Sequence, residues 1–328
     1  MSEQRYLDFE KPVIELDRKI KEMKELATSE NIELSKEIKV LEKKRNRLQK
    51  EVYSKLTRWQ RVQLARHPLR PYCLDLVKLI FTDFIELHGD RGFADDKAMV
   101  GGFAKLDDKN IMIIGQQKGR NTKQRQYRNF GSCHPEGYRK ALRLIKLAEK
   151  FKLPVIIFID TPGAYPGAGA EERGQAESIA RNIREMSVIE TPIIIVVIGE
   201  GASGGALGIG VGDRIYMLEN SWYSVISPEG CAAILWKSPA DANPAMLETN
   251  RKQAAEALKL TAQDLIELKI IDKIIPEPSG GAHLDYKQTA ENIKHELLTT
   301  LVELSNYSAD ELCNKRLEKF RVMGVYNE

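Results

Sequence analysis

Two glycine-rich stretches carry the residues best suited to chemistry in this chain. The first is Thr161-Pro-Gly-Ala-Tyr-Pro-Gly-Ala-Gly-Ala170, followed by Glu171 and Glu172; the second is Gly199-Glu-Gly-Ala-Ser-Gly-Gly-Ala206. Each follows an apolar run, so each is expected at the carboxyl edge of a parallel strand, where α/β proteins place their ligands. Glu171 and Glu172 fall in the expected first turn of the helix after the first loop and satisfy its positive end, which makes it a poor anion site. Between Gly201 and Gly212 there is no charged residue. The N–H groups of Gly204, Gly205 and Ala206 are therefore placed to face developing negative charge, the work of an oxyanion hole. Glycine at these positions lets a ligand approach the main chain closely. Tight turns and close packing would also explain glycine here; two such loops at matching points of a repeat, one of them lacking countercharge, favour an oxyanion site.

Three further patterns compete. Gly201-Ala-Ser203-Gly-Gly205 fits G-x-S-x-G, the strand-to-helix elbow of serine hydrolases. Only His283 and His295 follow it, neither with an acidic partner evident in sequence, so Ser203 reads as a small helix-start residue. Lys118, Arg120, Lys123, Arg125 and Arg128 set five bases in eleven residues without an acid. That is either a solvated basic loop or a phosphate contact, with a nucleotide-bearing substrate or with RNA or DNA. Only Tyr127 and Phe130 could stack on bases, which weakens the nucleic-acid reading. Cys231, in Ser227-Pro-Glu-Gly-Cys231, is expected to be a buried helix-start residue rather than a reactive thiol. The five histidines show no metal-ligand spacing, and the chain has no phosphate-binding fingerprint.

The elements that must position the loops come from an internal repeat. Pro154-Val-Ile-Ile-Phe-Ile-Asp160 and Pro192-Ile-Ile-Ile-Val-Val-Ile198 lie 38 residues apart, the length of one strand–loop–helix unit. At this offset Gly163-Ala164 falls on Gly201-Ala202. Between the runs, Ala176, Ile179, Ala180, Ile183 and Met186 form one helix face. Continuous apolar strands separated by amphipathic helices predict a parallel sheet covered on both faces. Val100 to Leu106 and Ile111 to Gln117 read as earlier strands, Pro135 to Phe151 as a helix, and further strands are expected near Ile215 and Ile271. Helices follow from about Asp285. At the other end, residues 1–66 hold 17 Lys/Arg and 12 Asp/Glu, with no glycine. Leu16, Ile20, Met23 and Ala27, then Leu34, Ile38, Leu41, Leu48 and Val52, fall at helical spacing on either side of a polar break at residues 28–31. They predict an antiparallel helical hairpin that must pack on the body or on another subunit.

Composition narrows the class. The 328 residues are 42% hydrophobic and 30% charged, with a net charge of only +3, which excludes wholesale disorder and argues against a dedicated nucleic-acid binder. The longest aliphatic run, Ile193 to Ile198, is far short of a membrane span, and the charged start is unlike a secretory signal. Cys73, Cys133, Cys231 and Cys313 lie at least 60 residues apart, which suits buried free thiols in a reducing compartment and leaves no pair for a zinc ribbon. The expectation is a cytoplasmic α/β protein.

Asp160-Thr-Pro-Gly-Ala-Tyr-Pro-Gly-Ala-Gly-Ala-Glu-Glu-Arg-Gly-Gln175 resembles the signature of the carboxyltransferase alpha subunits of bacterial and plastid acetyl-CoA carboxylases. So do Gln117-Lys-Gly-Arg120, Pro135-Glu-Gly-Tyr-Arg-Lys-Ala-Leu-Arg143 and Ser227-Pro-Glu-Gly-Cys231. Leu64-Ala-Arg-His-Pro68 and Pro276-Glu-Pro-Ser-Gly-Gly-Ala-His283 extend the likeness, which runs from Leu7 to about His283. The resemblance implies a crotonase-like ββα superhelix over residues 67–283, with an N-terminal α-helical hairpin (1–66, a subunit contact) and a C-terminal helical extension (284–328). It implies transfer of a carboxyl group from carboxybiotin, held on a biotin carboxyl carrier protein, to acetyl-CoA. The product is malonyl-CoA, at the first committed step of fatty-acid synthesis, in a complex whose biotin carboxylase uses ATP. It also implies a beta subunit that carries the zinc, an alpha2beta2 heterotetramer, no metal in this chain and no membrane partner.

By the same resemblance, main-chain donors stabilise the biotin ureido oxygen and the thioester enolate. The biotin-side segment corresponds to Gly204-Gly205-Ala206, with the N–H groups of Gly205 and Ala206 as the donors. Gly163, Ala164, Gly201 and Ser203 would shape the biotin-binding wall; separately, the phosphate reading of the basic segment makes Lys118 and Arg120 candidate contacts for the CoA phosphates. Two positions depart from the family pattern: Ala202 stands where a glycine is usual, which requires an ordinary backbone there, and Gln116 stands where histidine is common.

Overall fold

A computed structural model describes residues 6–29, 32–236 and 243–324. Its centre is one eight-stranded sheet: β1 (Thr82–Glu86), β2 (Met99–Leu106), β3 (Lys109–Gln116), β4 (Val155–Thr161), β5 (Ile193–Ala202), β6 (Arg214–Leu218), β7 (Trp222–Ser224) and β8 (Lys273–Ile275). The order is β1-β2-β3-β4-β5-β6-β8, with β7 paired to the end of β5. β1, β2 and β3 form an antiparallel meander; from β3 onward every pairing is parallel. Each β3-to-β4 or β4-to-β5 crossover carries a helix, Pro135–Lys150 and Gln175–Ser187, as the repeat predicts. β4 and β5 are buried along their whole length, as strands covered on both faces must be.

Side-chain alternation splits the core into two layers. Ile157, Ile159, Ile195 and Val197 face the crossover helices with Tyr138, Leu144, Ile145 and Met186. Ile156, Phe158, Ile194 and Val196 face the helices Cys73–Ile80 and Tyr286–Leu304, through Leu76, Val77, Ile293 and Leu297. The C-terminal helices therefore complete the core rather than extend from it. Arg316, in the last helix (Ala309–Arg321), is buried and doubly bonded to Asp213, whose Oδ2 also accepts the N–H of Ile193 at 2.7 Å.

The hairpin forms as expected from helices Lys11–Ser29 and Ser35–Ser54, joined by Lys24–Glu42 (2.6 Å) and Arg45–Asp17 (3.5 Å) across the seam. Thr28 and Ser29, expected in the break, continue the first helix, and Glu30 and Asn31 lie outside the described residues. The hairpin's base rests on this chain's own body: Gln49 Nε2 donates to the Ser279 carbonyl at 3.1 Å, and Glu10 lies 3.4 Å from His283. The 1–66 boundary runs past the hairpin. Helix Arg58–Ala65 packs Trp59, Val62 and Ala65 against Ala202, Trp222, Ala255 and Leu260, so it belongs to the body. Of the cysteines, Cys73 and Cys133 are buried as expected, while Cys231 and Cys313 are only partly so. Among the described residues, no helix is long and apolar enough to cross a membrane.

Candidate active site

The two glycine loops meet at the carboxyl edge of β4 and β5. Along these strands the pairing keeps the 38-residue offset, from Val155↔Ile193 to Ile159↔Val197, then slips so that Thr161 faces Gly201. The expected superposition of Gly163-Ala164 on Gly201-Ala202 therefore fails by two residues. The irregularity lets β5 run on, so that the next turn reaches over the first loop. A Cβ added to Gly205 would lie 2.4 Å from the Ala164 nitrogen and 2.5 Å from the Gly163 carbonyl carbon, so glycine is required there by backbone contact. Gly163 itself has φ +141°, a conformation that side chains rarely adopt, and the position its Cβ would take is open, with nothing within 4 Å.

The second loop turns sharply. Ala202 is extended (φ −108°, ψ 134°), the ordinary conformation its departure from glycine requires. Ser203, exposed, takes φ +58°, and the short helix Ser203–Leu207 begins there. Helical N–H groups bond four residues back, so Ala206 N–H is directed at the Ala202 carbonyl. The donors left outside the ladder are those of Ser203, Gly204 and Gly205, so of the expected pair Gly205 and Ala206 only Gly205 stays outside it. Gly204 is half-buried; Gly205 and Ala206 are buried. Gln116, at the end of β3, donates from Nε2 to the Gly205 carbonyl (2.7 Å) and accepts the Asp160 N–H on Oε1 (3.1 Å).

The first loop is braced differently. Thr161 Oγ1 accepts the N–H of Gly163 (3.1 Å) and donates to the Gly131 carbonyl (2.7 Å). Gln175 Nε2 donates to the carbonyls of Tyr165 (2.9 Å) and Cys133 (2.8 Å), and the His134 ring stacks on Tyr165 at 4.0 Å. Glu171 and Glu172 lie in a separate five-residue helix, Ala168–Glu172, and precede the longer crossover helix instead of opening it.

A buried ion network lies at the same strand ends. Lys118 Nζ sits 2.7 Å from Asp160 and 2.5 Å from Glu200; Arg66 continues from Glu200 (2.6 Å) to Glu229 (2.5 Å). Burial works against the charge on both Glu200 and Lys118, yet their partners prevail: Lys118 and Arg66 hold Glu200 at about 2, and Asp160 and Glu200 raise Lys118 to about 12. Burial pushes the Asp160 carboxyl upward despite Lys118. Arg120 contacts the Asp75 carboxylate, the carbonyl of Pro68 (2.9 Å) and the face of Tyr72. Both residues expected at the CoA phosphates are thus paired with acids of this chain. Of the same segment, Arg125 and Phe130 line a ≈ 280 Å³ cavity with Arg66, Tyr72, Lys118 and Pro162.

His283, the histidine a hydrolase would recruit, stands at the base of the hairpin, with its ring 4.0 Å from that of His67 and beside Glu10. Among the described residues no hydrogen bond joins Ser203 to a histidine. Glu10, His67 and His283 place ligand-type atoms within 4.8 Å of one another, a meeting that sequence spacing did not foretell. The two rings lie 34° from parallel.

The family described as acetyl co-enzyme A carboxylase carboxyltransferase-like matches residues 6–324. The chain is 57% identical to the acetyl-coenzyme A carboxylase carboxyl transferase subunit alpha of Chlorobium luteolum, with 98% of each chain covered. It is 56% identical to that of Geobacter metallireducens, with 100% of each covered. Solved structures share the fold at low identity. The transcarboxylase 12S core aligns over 66% of this chain and 40% of its own (TM-score 0.53, 21% identity). The beta subunit of Pseudomonas aeruginosa geranyl-CoA carboxylase aligns over 79% and 46% (TM-score 0.55, 18% identity). This chain thus spans less than half of those solved chains but nearly all of its sequence relatives. The fold is that of the crotonase-like carboxyltransferases, and the chain belongs to the acetyl co-enzyme A carboxylase carboxyltransferase-like family.

Proposed function

We propose that this chain is the carboxyltransferase alpha subunit of an acetyl-CoA carboxylase. It moves a carboxyl group from carboxybiotin on a carrier protein to acetyl-CoA, giving malonyl-CoA, and works only with a beta subunit. The observation that carries the mechanism is the uncharged turn Gly204-Gly205-Ala206, seated on Gly163-Ala164 beside an open space. Carboxybiotin supplies an activated carboxyl group.

This chain's own residues do the rest by main-chain electrostatics. The N–H groups of Gly204 and Gly205, outside the helical ladder, face the oxyanion that develops on the biotin side. Ala206 closes the turn behind them. Gly163 and Ala164 form the opposing wall, and Gly201 and Ser203 the approach. The turn itself carries no charged side chain between Gly201 and Gly212. No side-chain acid or base of this chain is needed in this scheme. Burial and full pairing of Lys118, Asp160 and Glu200 make them scaffold for the two loops rather than proton carriers.

The test is carboxyl transfer from malonyl-CoA to biocytin, followed as acetyl-CoA release. It is run with this chain alone and then co-expressed with a carboxyltransferase beta subunit. Activity in the mixture only is the expected result. Full activity of this chain alone, or none in a well-formed complex, would overturn the reading.

A further inference from the structure

We infer that Gln116 is a positioning residue that sets the orientation of the Gly204-Gly205-Ala206 turn, and through it the rate of carboxyl transfer. The inference rests on the reading of that turn as the oxyanion site. Gln116 is wholly buried at the end of β3 and touches both loop origins at once. Its Nε2 donates to the Gly205 carbonyl at 2.7 Å, and its Oε1 accepts the Asp160 N–H at 3.1 Å, where the β4–β5 register slips.

The Gly205 carbonyl belongs to the peptide plane that leaves Gly205, and the Gly205 N–H to the plane that enters it. With no Cβ to limit their rotation, the two planes need an external tether to hold the N–H direction. Gln116 supplies the short contact. Tyr138 OH, 3.4 Å from the same carbonyl, supplies a longer one. Asp160 is tied to the second loop again, its Oδ1 accepting the Glu200 N–H at 3.0 Å, so one amide group couples both strands to the turn.

The tether requires a neutral side chain that offers one donor and one acceptor. A leucine side chain, similar in size, offers neither; a neutral imidazole has one of each; an imidazolium has no acceptor for Asp160 N–H. Gln116→Leu and Gln116→His are therefore assayed in the complex with the beta subunit, by biocytin carboxylation across pH, alongside thermal melting. Expected for Gln116→Leu is a fall in kcat of about 100-fold, the cost of a misaligned site, with the KM for malonyl-CoA unchanged. Gln116→His should recover much of kcat at alkaline pH and lose it as the imidazole protonates.

Wild-type kcat and pH profile in both variants, in folded complexes, would overturn the inference. So would losses that only follow the amount of protein melted. A Gly205→Ala control separates the two claims. If it is inactive while the Gln116 variants are normal, the turn stands and the tether falls. If it is folded and fully active, the oxyanion reading falls, and this inference with it.

Discussion

The two glycine loops begin as copies and end with different tasks. β4 and β5 pair in one register over Val155–Ile159, each fully buried, and each delivers the chain to the same edge. Past that point the first loop turns through Gly163 at φ +141° and leaves open space, whereas the second runs two residues further and folds its turn onto the first. In the proposed scheme one is a wall and the other a set of donors. The sequence difference that matters is charge: Glu171 and Glu172 follow the first loop, and nothing charged follows the second until Asp213. A parallel-strand repeat can thus build an asymmetric cleft from two similar halves by a single register slip.

The sharpest way to break this comparison is Gly205→Ala. The added methyl would meet backbone atoms of the opposite loop, which cannot swing aside as a flexible side chain could. Displacing the turn should cost kcat at least what losing one oxyanion donor costs, roughly 10²–10³-fold, measured as acetyl-CoA release in the complex.

Next in size is the ion network beneath both loops. Lys118→Met leaves Asp160 and Glu200 buried without their cation, and should lower unfolding free energy by roughly 3–5 kcal/mol in a denaturant titration. The pH dependence follows from the same groups. Glu200, held at about 2 against an ordinary 4.5, adds stability above pH 4.5 that is lost as pH falls toward 2. Asp160, raised by burial, acts in the opposite sense and partly offsets that loss in acid. Lys118, raised to about 12 from 10.5, adds stability below pH 10.5 that is lost as pH rises through 12. Thermal melts of the parent chain should show both flanks, and Lys118→Met should flatten the alkaline one.

Gly163→Ala should be milder. The side chain has room, so its cost is backbone strain alone, about 1–3 kcal/mol by denaturant unfolding. The smallest effect is expected at Gly204, where a Cβ would meet only Ile179 at ordinary contact distance, 3.5 Å or more. Gly204→Ala should leave stability within about 1 kcal/mol of the parent.

Much of this was legible beforehand. The 38-residue spacing gave the strand pairing, because continuous apolar runs at a fixed interval have few other ways to be buried on both faces. The uncharged stretch after Gly201 marked the turn that now abuts Gly163. The register slip was not legible, since it depends on how two loop backbones pack. Nor was the neutralisation of Lys118, whose partners Asp160 and Glu200 sit on two later strands. Of the five bases, Lys118 and Arg120 meet acids that are distant in sequence, which a one-dimensional reading does not show. Helix Arg58–Ala65 was counted with the hairpin because its polar surface continues the hairpin's composition, yet Trp59 and Val62 bury it in the body. β1 carries no clear sequence signal, being a partly exposed edge strand without a continuous apolar run. His67 and His283, far apart in the chain, meet within the body, and docking of the hairpin base adds Glu10 beside them, which no local spacing encodes.

The most direct test of the central claim sets Gly205→Ala beside the parent chain in the same alpha–beta complex, with kcat for biocytin carboxylation as the readout. Contact between the loops predicts a kcat at least about 100-fold lower for the variant than for the parent, with both complexes folded. A parent-like kcat in the folded variant would mean that the seating of the second loop on the first has no part in catalysis.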